Sequence, residues 1–279
     1  MITTDSHLHS SFSTDSEEAM ENIIKAAIQM GLDRICFTEH MDYDFPKGEN
    51  DTDEHPFLLD TDAYIKTYEL MRSKYKNIIT VGFGVELGMQ PHLASFIMSY
   101  VNQYPFDYII GSEHITNKKD PYYPEFYEGR SEQDAYNEYF EDIVTNLDSL
   151  NQTGIKLIDS LGHIDYVVRY GPNKNRDYSY NIYGDIIDEI LKRLIDREIA
   201  LEINTGGYKH NLGQPHPSKE VLLRYKELGG ELITVGSDAH KATELCRDFD
   251  KAAAFLTDCG YKYYAVFSNR KPIMMNINK

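Results

Sequence analysis

Short apolar runs rich in β-branched residues alternate along the chain with segments whose apolar positions recur at helical spacing. Runs of the first kind predict strands, and segments of the second kind predict amphipathic helices. The predicted strands cover residues 2–9, 34–40, 78–87, 107–114, 158–165, 200–205 and 231–240. Because these strands are almost continuously apolar, they indicate a parallel sheet that is covered by helices.

The helical segments carry end signals. The first has an apolar stripe that includes Met20 and Ile24 and stops near Gly31, and later helices are predicted to start near Ser131 and Ser218. Seven βα units within 279 residues predict a single α/β domain whose sheet closes into a barrel. An open doubly wound sheet is the alternative, because one sequence does not show closure. Residues 261–277 are predicted only to add a closing or edge strand.

The composition narrows the classes of partner. The formal net charge of −17 and the pI near 4.9 argue against a nucleic-acid-binding surface, which needs clusters of lysine and arginine. No apolar stretch approaches the roughly 18 residues of a membrane span, and the first residues lack the apolar core of a signal peptide. Three cysteines without a C-x-x-C pair suit reduced thiols. We therefore expect a cytoplasmic protein that binds neither nucleic acid nor membrane.

Residues of metal-ligand type stand at the carboxyl ends of six predicted strands. His7 and His9 are spaced i, i+2, so a strand would point both imidazoles to one side. In an α/β barrel, the carboxyl ends of all strands open onto one face, where such side chains converge. A single strand-terminal histidine is more often a structural group, but six strands ending in this way favour a common site. The residues are His7, His9, His40, Glu86, His114, His163, Asp238 and His240.

Asp15 has two interpretations. It precedes the first helix and, together with Glu18, resembles a capping box, so its position alone favours a helix cap over a ligand. Three of the other histidines are left out of the metal site. His55 lies in an acidic loop, and His92 and His216 are next to prolines at predicted helix starts.

The candidate ligands are imidazoles and carboxylates without thiolates, a set that suits Zn, Mn or Fe. With Asp15 they number nine, which is more than one ion can use, so two or three divalent ions that share carboxylates are predicted. Clustered metals lower the pKa of a bound water and hold the attacking and leaving oxygens of a phosphoryl displacement. The ligand set therefore predicts a hydrolase that acts on a phosphate ester.

Six motifs, in the order D-S-H-L-H-S, F-T-E-H, G-V-E-L, G-S-E-H, G-H-I-D and G-S-D-A-H, resemble those of the PHP (polymerase and histidinol phosphatase) family. The resemblance runs from residue 5 to about residue 240. It implies a distorted (β/α)7 TIM-like barrel with a trinuclear metal centre. The implied ligands are His7, His9, Glu86 and Asp238 for one ion, Glu86, His114 and His163 for a second, and Asp15, His40 and His240 for a third. Family members carry His or Asp at the position of Asp15, which leaves the third metal open.

Within the family, the stretches FTEHMDYDFP, GHIDYVVRYG and LEINTGGYKH are similar to members that hydrolyse L-histidinol phosphate in histidine biosynthesis. The resemblance implies a small-molecule phosphate monoester as substrate and a metal-bridging hydroxide as nucleophile. Two alternatives stay open: a nucleotide phosphatase or nuclease of the same family, and a non-catalytic metal-binding regulatory protein. The oligomeric state is not predicted.

Two cations and two metal-ligand candidates are assigned further roles in this chemistry. Arg169 and Lys209 follow strands on the predicted active face and are candidates to bind phosphate oxygens, with a solvated loop cation as the alternative for each. The leaving alcohol needs a proton, for which Asp238 and His240 are the candidate donors.

The amine and imidazole of histidinol phosphate call for an acidic and aromatic surface opposite the phosphate. Asp42 and Glu113 are the carboxylates best placed by sequence, although strand alternation would point Glu113 away from His114. The loop of residues 117–131 is rich in tyrosine and proline and lies on the same face. It is either a lid or a fixed rim of the site.

Overall fold

Seven parallel strands form the centre of the computed structural model, which describes residues 2–46 and 57–277. Each predicted strand is present, and the order of the strands in the sheet follows their order in the chain. All neighbouring pairs in this order are parallel, as continuous apolar strands predict. The strands are β1 (Thr4–Leu8), β2 (Arg34–Met41), β3 (Thr80–Gly88), β4 (Tyr108–Ser112), β5 (Ser160–Leu161), β6 (Ala200–Asn204) and β7 (Ile233–Gly236).

The sheet forms a nearly closed barrel because the chain beyond β7 reaches the end of β1. Leu8 and Ala239 form a parallel bridge, in which the amide of His9 donates to the carbonyl of Ala239 at 2.8 Å. The amide of Asp238 donates to the carbonyl of His7 at 2.9 Å. The prediction of a (β/α)7 barrel is confirmed, and the open doubly wound sheet is excluded.

Helices follow the strands and cover the outside of the barrel. The helix start at Ser131 is confirmed, because the Ser131 Oγ accepts a hydrogen bond from the amide of Asp134. The first helix begins only at Met20, with Ala19 at its N-cap, so the cap interpretation of Asp15 is wrong. The helices are α1 (Met20–Gln29), α2 (Thr61–Tyr75), α3 (Ala94–Gln103), α4 (Glu132–Asn151), α5 (Tyr180–Asp196), α6 (Gly206–Lys209), α7 (Lys219–Glu227) and α8 (Phe249–Asp258).

Large side chains between the helices and the sheet fix the helices on the barrel. Tyr64 of α2 is fully buried, and its ring lies 4.7 Å from that of Phe83 in β3. Its hydroxyl also donates to the carbonyls of Phe37 and Gly84, which satisfies the buried polar atom. Burying a ring of this size contributes about 1.5–3 kcal/mol, so Tyr64 anchors α2 against β2 and β3.

The C-terminal stretch forms an antiparallel hairpin, β8 (Tyr263–Ser268) and β9 (Lys271–Asn276), rather than an additional barrel strand. Phe267 stacks on Tyr108, the first residue of β4, with ring centroids 5.1 Å apart. The guanidinium of Arg270 pairs with Asp159, which directly precedes β5. The hairpin therefore covers the amino end of the barrel and leaves the carboxyl ends of the strands as the open face.

Three predicted strands extend at least two residues past their observed ends. β4 stops at Ser112, β5 at Leu161 and β7 at Gly236, in each case before the metal-ligand residue type that follows. Once the chain has left the ladder, its side chains are no longer bound to the alternation of the pleat. The ends of these strands are thus free to turn their polar side chains toward the barrel axis.

The described helices include none that is long and apolar enough to cross a membrane. Cys36, Cys246 and Cys259 are free thiols, as their number and spacing predict. Burial raises the pKa of the Cys36 thiol above its usual value, so this cysteine is a packed core residue rather than a reactive one.

The close approach of β7 to β1 gives a test of the barrel geometry. A methyl group on Gly236 would overlap the Cβ atom of His7 and the carboxylate of Glu202. We expect Gly236→Ala to lower the free energy of unfolding by about 1–3 kcal/mol, as overpacked cores do. Gly184→Ala, inside α5 and facing only the Tyr180 side chain, is the matched control and should be neutral or slightly stabilising.

Urea unfolding of the two variants, each compared with the parent protein at equal metal content, measures the difference. An unchanged midpoint for Gly236→Ala would contradict the close packing of β1 against β7.

Candidate metal centre

The strand ends bring the predicted ligand residues together around the carboxylate of Glu86, which is fully buried. Five imidazole nitrogens lie between 2.9 and 3.4 Å from its two oxygens. The register of the sheet explains part of this convergence, since His40 in β2 lies directly beside Glu86 in β3. The five nitrogens are His7 Nε2, His9 Nε2, His40 Nδ1, His114 Nε2 and His163 Nε2.

Asp238, His240 and Asp15 complete the cluster. Asp238 Oδ1 lies 3.7 Å from His9 Nε2, and Asp15 Oδ2 lies 3.0 Å from His240 Nε2 and 3.5 Å from His40 Nε2. The ring of His9 stacks on those of His40 and His240, with centroids 4.1 and 4.3 Å apart. All nine side chains that the sequence nominated as ligands therefore lie in one group.

Carboxylates behind the rings fix the orientation of two imidazoles. His7 Nδ1 lies 2.6 Å from Glu202 Oε1, and His114 Nδ1 lies 2.7 Å from Asp42 Oδ1. An ionised carboxylate only accepts hydrogen bonds, so in the neutral ring that binds a metal ion Nδ1 carries the proton and Nε2 is left with a lone pair for the ion. The sequence analysis missed Glu202, for which an acidic residue inside the apolar strand ALEIN was the available signal.

The ring of His9 is held through a serine. The Ser13 hydroxyl donates to Glu39 Oε2 at 2.7 Å, and its oxygen lies 3.0 Å from His9 Nδ1. Because the hydroxyl proton goes to Glu39, His9 Nδ1 must be the donor, and His9 Nε2 is left for the cluster. Glu39 was also missed, although it stands within the F-T-E-H motif.

Five of the atoms that converge on the centre lack hydrogen-bond partners among the described residues. Unpaired buried polar atoms are costly, and a bound cation satisfies such atoms. Four overlapping groups of three residues each place their ligand atoms within 4.8 Å of one another, which suits metal coordination. These residues therefore fit metal ions. The buried atoms without partners include His7 Nε2, His9 Nε2, His40 Nδ1, Glu86 Oε2 and His240 Nε2.

The electrostatics of the cluster favour ionised carboxylates. Burial opposes the charge of Glu86, but His7, His114 and His40 outweigh it and hold the pKa of Glu86 well below its usual value. Burial likewise opposes the charge of Asp238, but the Arg169 guanidinium and His7 keep its pKa well below the usual range. Negative charge is thus retained at the point where the free imidazole nitrogens meet.

A cavity of about 540 Å³ opens beside the cluster on the carboxyl face of the barrel. Arg169 lines it and is almost fully buried. Its Nη2 donates to Asp238 Oδ2 at 2.9 Å and to Asn204 Oδ1 at 3.1 Å, whereas its Nη1 has no hydrogen-bond partner among the described residues. The structure therefore brings Arg169 to the site, with a free donor group.

A buried histidine holds the other side of this guanidinium. Arg169 Nε donates to His216 Nε2 at 2.9 Å, and His216 Nδ1 lies 2.5 Å from Asp165 Oδ1. Since His216 Nε2 accepts, the proton of the neutral ring is on Nδ1 and is donated to Asp165. His216 thus supports Arg169 rather than the metal-ligand cluster, from which the sequence analysis left it out. His92 is exposed and pairs with Asp44 outside the cavity, and His55 lies outside the described residues.

The other predicted substrate contacts differ in their placement. Lys209 lines the cavity, but its Nζ pairs with Glu244 Oε2 at 2.9 Å. Asp42 also lines it, but one carboxylate oxygen is bound to His114 and the side chain is only 2% exposed. Glu113 does not line the cavity; its side chain instead meets α4, where Asn146 Nδ2 donates to its Oε2 at 2.6 Å. The structure therefore places Asp42, but not Glu113, in the lining of the cavity.

Residues of the tyrosine-rich loop form part of the wall of the cavity. Asp120, Tyr122 and Tyr123 contribute to the lining, while Phe126 is buried below them in the core. Tyr127 donates its hydroxyl hydrogen to the carbonyl of Val167 at 3.0 Å. The loop is therefore anchored at Phe126 and Tyr127, and it presents its earlier residues to the cavity.

Fold and site together define the class of this protein: an α/β barrel with a metal-binding centre at the carboxyl ends of its strands. The model of the PHP domain matches residues 5–206, which is more than half of the chain. The chain belongs to the PHP domain family.

Relatives of similar length support this assignment. The chain is 36% identical over 262 residues to a probable histidinol-phosphatase of Clostridium acetobutylicum, covering 92% of this chain and 94% of that protein. It is 34% identical over 271 residues to a histidinol-phosphatase of Lactococcus lactis subsp. lactis, with 96% and 95% covered. The crystal structure of a Lactococcus lactis histidinol phosphate phosphatase, complexed with zinc, L-histidinol and phosphate, superimposes with a TM-score of 0.86 at 31% identity. That superposition covers 98% of this chain and 99% of the other.

The central position of Glu86 gives a test of the metal centre. We expect Glu86→Gln to lose at least one metal ion per chain, because it removes charge from the oxygens that five imidazoles surround. Glu113→Gln is the matched control. Burial and the charge of Asp142 raise the pKa of Glu113 well above its usual value, and its side chain lies outside the cavity lining.

Metal content is measured by mass spectrometry of elements after purification in the presence of Zn. Full metal content in Glu86→Gln, or equal losses in both variants, would contradict the central role of Glu86.

Proposed function

We propose that this protein is a metal-dependent phosphomonoesterase that hydrolyses L-histidinol phosphate to histidinol and inorganic phosphate, with residues 1–279 acting as one PHP-type domain. One observation carries the proposal: the guanidinium of Arg169 pairs with Asp238 of the metal-ligand cluster and lines the same cavity. A cationic fork beside a metal centre is the arrangement that a phosphate dianion requires. The names of the relatives and the histidinol and phosphate bound in the Lactococcus lactis structure support the choice of substrate.

The proposed metal centre holds two or three divalent ions, either Zn, Mn or Fe. When bound, such ions supply a hydroxide nucleophile near neutral pH and neutralise charge on the phosphate. We assign the ligands in three groups, of which the first two share the buried carboxylate of Glu86. The groups are His7, His9, Glu86 and Asp238; Glu86, His114 and His163; and Asp15, His40 and His240.

Arg169 orients the phosphate in this proposal. Two of its nitrogens are fixed by Asp238, Asn204 and His216, which leaves Nη1 as the donor for a phosphate oxygen. Fixing the guanidinium in advance lowers the entropy lost when the substrate binds. Lys209 adds positive charge at the rim, partly compensated by Glu244.

The leaving alcohol receives its proton from a group at the metal side of the cavity. Asp238 and His240 both line the cavity and remain the two proposed donors. Their hydrogen-bond partners differ: Asp238 Oδ2 accepts from Arg169, whereas His240 Nδ1 lies 3.1 Å from the carbonyl of Asp238.

The proposal includes a small-molecule partner and a cytoplasmic location. The cavity of about 540 Å³ suits a small phosphate monoester. The three free cysteines suit a reducing compartment.

Phosphate release by the purified protein, supplied in turn with Mn, Zn and Fe, tests the proposal. The substrates are L-histidinol phosphate, AMP, an aryl phosphate and a phosphodiester. We expect a kcat/KM for histidinol phosphate at least about 100-fold above the others, equivalent to roughly 2.7 kcal/mol of selective transition-state binding.

A higher kcat/KM for AMP or the diester would retain the metal chemistry but replace the substrate. Absence of turnover of every ester by the metal-loaded protein would overturn the assignment as a phosphatase.

The contact between His216 and Arg169 gives a second test. We expect His216→Ala to lower kcat/KM for histidinol phosphate by about 10- to 100-fold and to weaken inhibition by phosphate, because Arg169 loses the acceptor of its Nε hydrogen. The metal content should not change. His92→Ala, which removes an exposed histidine outside the cavity, is the control and should behave as the parent protein.

Steady-state kinetics and phosphate inhibition constants make the comparison. Parental values in His216→Ala would mean that Asp238 and Asn204 alone suffice to hold Arg169.

A further inference from the structure

One carboxylate in the cavity has no positively charged partner among the described residues. Four of the five acidic residues in the lining each have a cationic or imidazole partner within 3.0 Å. These four are Asp15 with His240, Asp42 with His114, Asp238 with His7, His9 and Arg169, and Glu244 with Lys209. Asp120 is the exception, and it belongs to the tyrosine-rich loop rather than to a strand end.

The side chain of Asp120 is held in place by one oxygen only. Its Oδ1 accepts a hydrogen bond from the amide of Tyr122 at 2.7 Å, and its carbonyl accepts one from the amide of Tyr123 at 3.1 Å. These bonds fix the turn, while Oδ2 has no hydrogen-bond partner among the described residues. A fixed carboxylate with one free oxygen is suited to accept a hydrogen bond from a bound cation.

Aromatic rings adjoin this carboxylate. Tyr166 lies against Tyr170 with ring centroids 5.2 Å apart, and Tyr122 lies against Tyr170 at 5.0 Å. We name Tyr122, Tyr166 and Tyr170 the aromatic wall; all three line the cavity. After burial, the charge of Asp120 is among the causes that raise the pKa values of Tyr166 and Tyr170, so the carboxylate acts directly on the wall.

The aromatic wall also connects with the metal side of the cavity. Tyr166 lies 5.6 Å from the ring of His114 and 5.1 Å from that of His163, both candidate ligands. The wall therefore runs from the candidate ligands to the loop that carries Asp120, and it offers a surface for the organic group of a phosphate ester at the metal centre. A flat cationic group finds there both a stacking surface and a negative charge.

The environment of Asp120 favours such a group. Burial raises the pKa of Asp120 to about 6, above its usual value, despite the nearby His114. A cation placed beside the free oxygen would stabilise the ionised form, whereas a neutral organic group would not.

We propose that Asp120 and the aromatic wall form the subsite that recognises the alcohol part of the substrate, and that Asp120 selects a positively charged alcohol. The proposal rests on the phosphomonoesterase function and names the origin of its substrate preference. It replaces Asp42 and Glu113, which the sequence nominated for this role. Histidinol carries an amine and an imidazole and so fits both parts of the subsite.

Asp120→Asn separates the charge from the structure, because the amide oxygen can still accept from the amide of Tyr122. Glu125→Gln is the matched control: it removes a negative charge from the same loop, but its side chain is exposed and outside the cavity lining. Three substrates are compared: L-histidinol phosphate, n-butyl phosphate and 4-nitrophenyl phosphate. Only the first carries positive charge in its alcohol part.

We expect Asp120→Asn to lower kcat/KM for histidinol phosphate by roughly 10- to 100-fold, mainly through KM, as the loss of a charge-assisted hydrogen bond does. Its kcat/KM for the two esters whose alcohol part is uncharged should stay within about threefold of the parent value. Glu125→Gln should leave all three substrates unchanged. Metal content and unfolding temperature are measured for both variants.

Equal losses on all three substrates would overturn the proposal, because Asp120 would then serve the reaction step rather than recognition. An unchanged kcat/KM for histidinol phosphate in Asp120→Asn, with an active parent protein, would also overturn it and leave the phosphatase function intact. A parent protein that hydrolyses none of the three esters would instead refute the proposed function itself.

Discussion

A carboxylate that is fully buried among imidazoles is the constraint on which the rest of this site depends. Glu86 is 0% exposed, and an isolated ionised carboxyl in such a position costs at least several kcal/mol. The nitrogens of His7, His40 and His114 lie about its oxygens, and metal ions would add further positive charge. Only the ends of several neighbouring parallel strands can deliver so many rings to one point. The barrel topology therefore provides the compensation that the buried charge requires.

The imidazole rings are held in their orientation by a second layer of buried polar groups behind them. An imidazole serves a metal ion only when the correct nitrogen is free, and the partner of its other nitrogen decides which one that is. Glu202 fixes His7 in this way, and Asp42 fixes His114. Arg169 is fixed by the same logic, since its neighbours leave one nitrogen for an anion. The preorganised site thus extends one layer further than the residues that would touch metal or phosphate.

The sequence allowed the strands and the cluster to be predicted because both follow from local patterns. Apolar runs mark the strands, and polar residues at their ends meet wherever parallel strands form a barrel. Asp15 was ambiguous, since a helix cap and a ligand look alike in sequence, and only the family resemblance favoured a ligand. His216 and Asp120 escaped prediction because their roles depend on contacts with Arg169 and with the aromatic wall. Contacts between loops leave no periodic pattern in the sequence, so the roles of these residues became visible only in the structure.

The direction of the pKa shift divides four of the buried acids of this protein into two groups. Burial raises the pKa values of Glu113 and Glu39 despite the hydrogen bonds that they accept. In the metal-ligand cluster the opposite holds: neighbouring imidazoles or Arg169 outweigh burial and hold the pKa values of Glu86 and Asp238 well below their usual range. Acids of the first group can serve packing and orientation without a cation. Those of the second group keep a charge that must be balanced, which is the condition for binding metal ions where a phosphate ester can reach them.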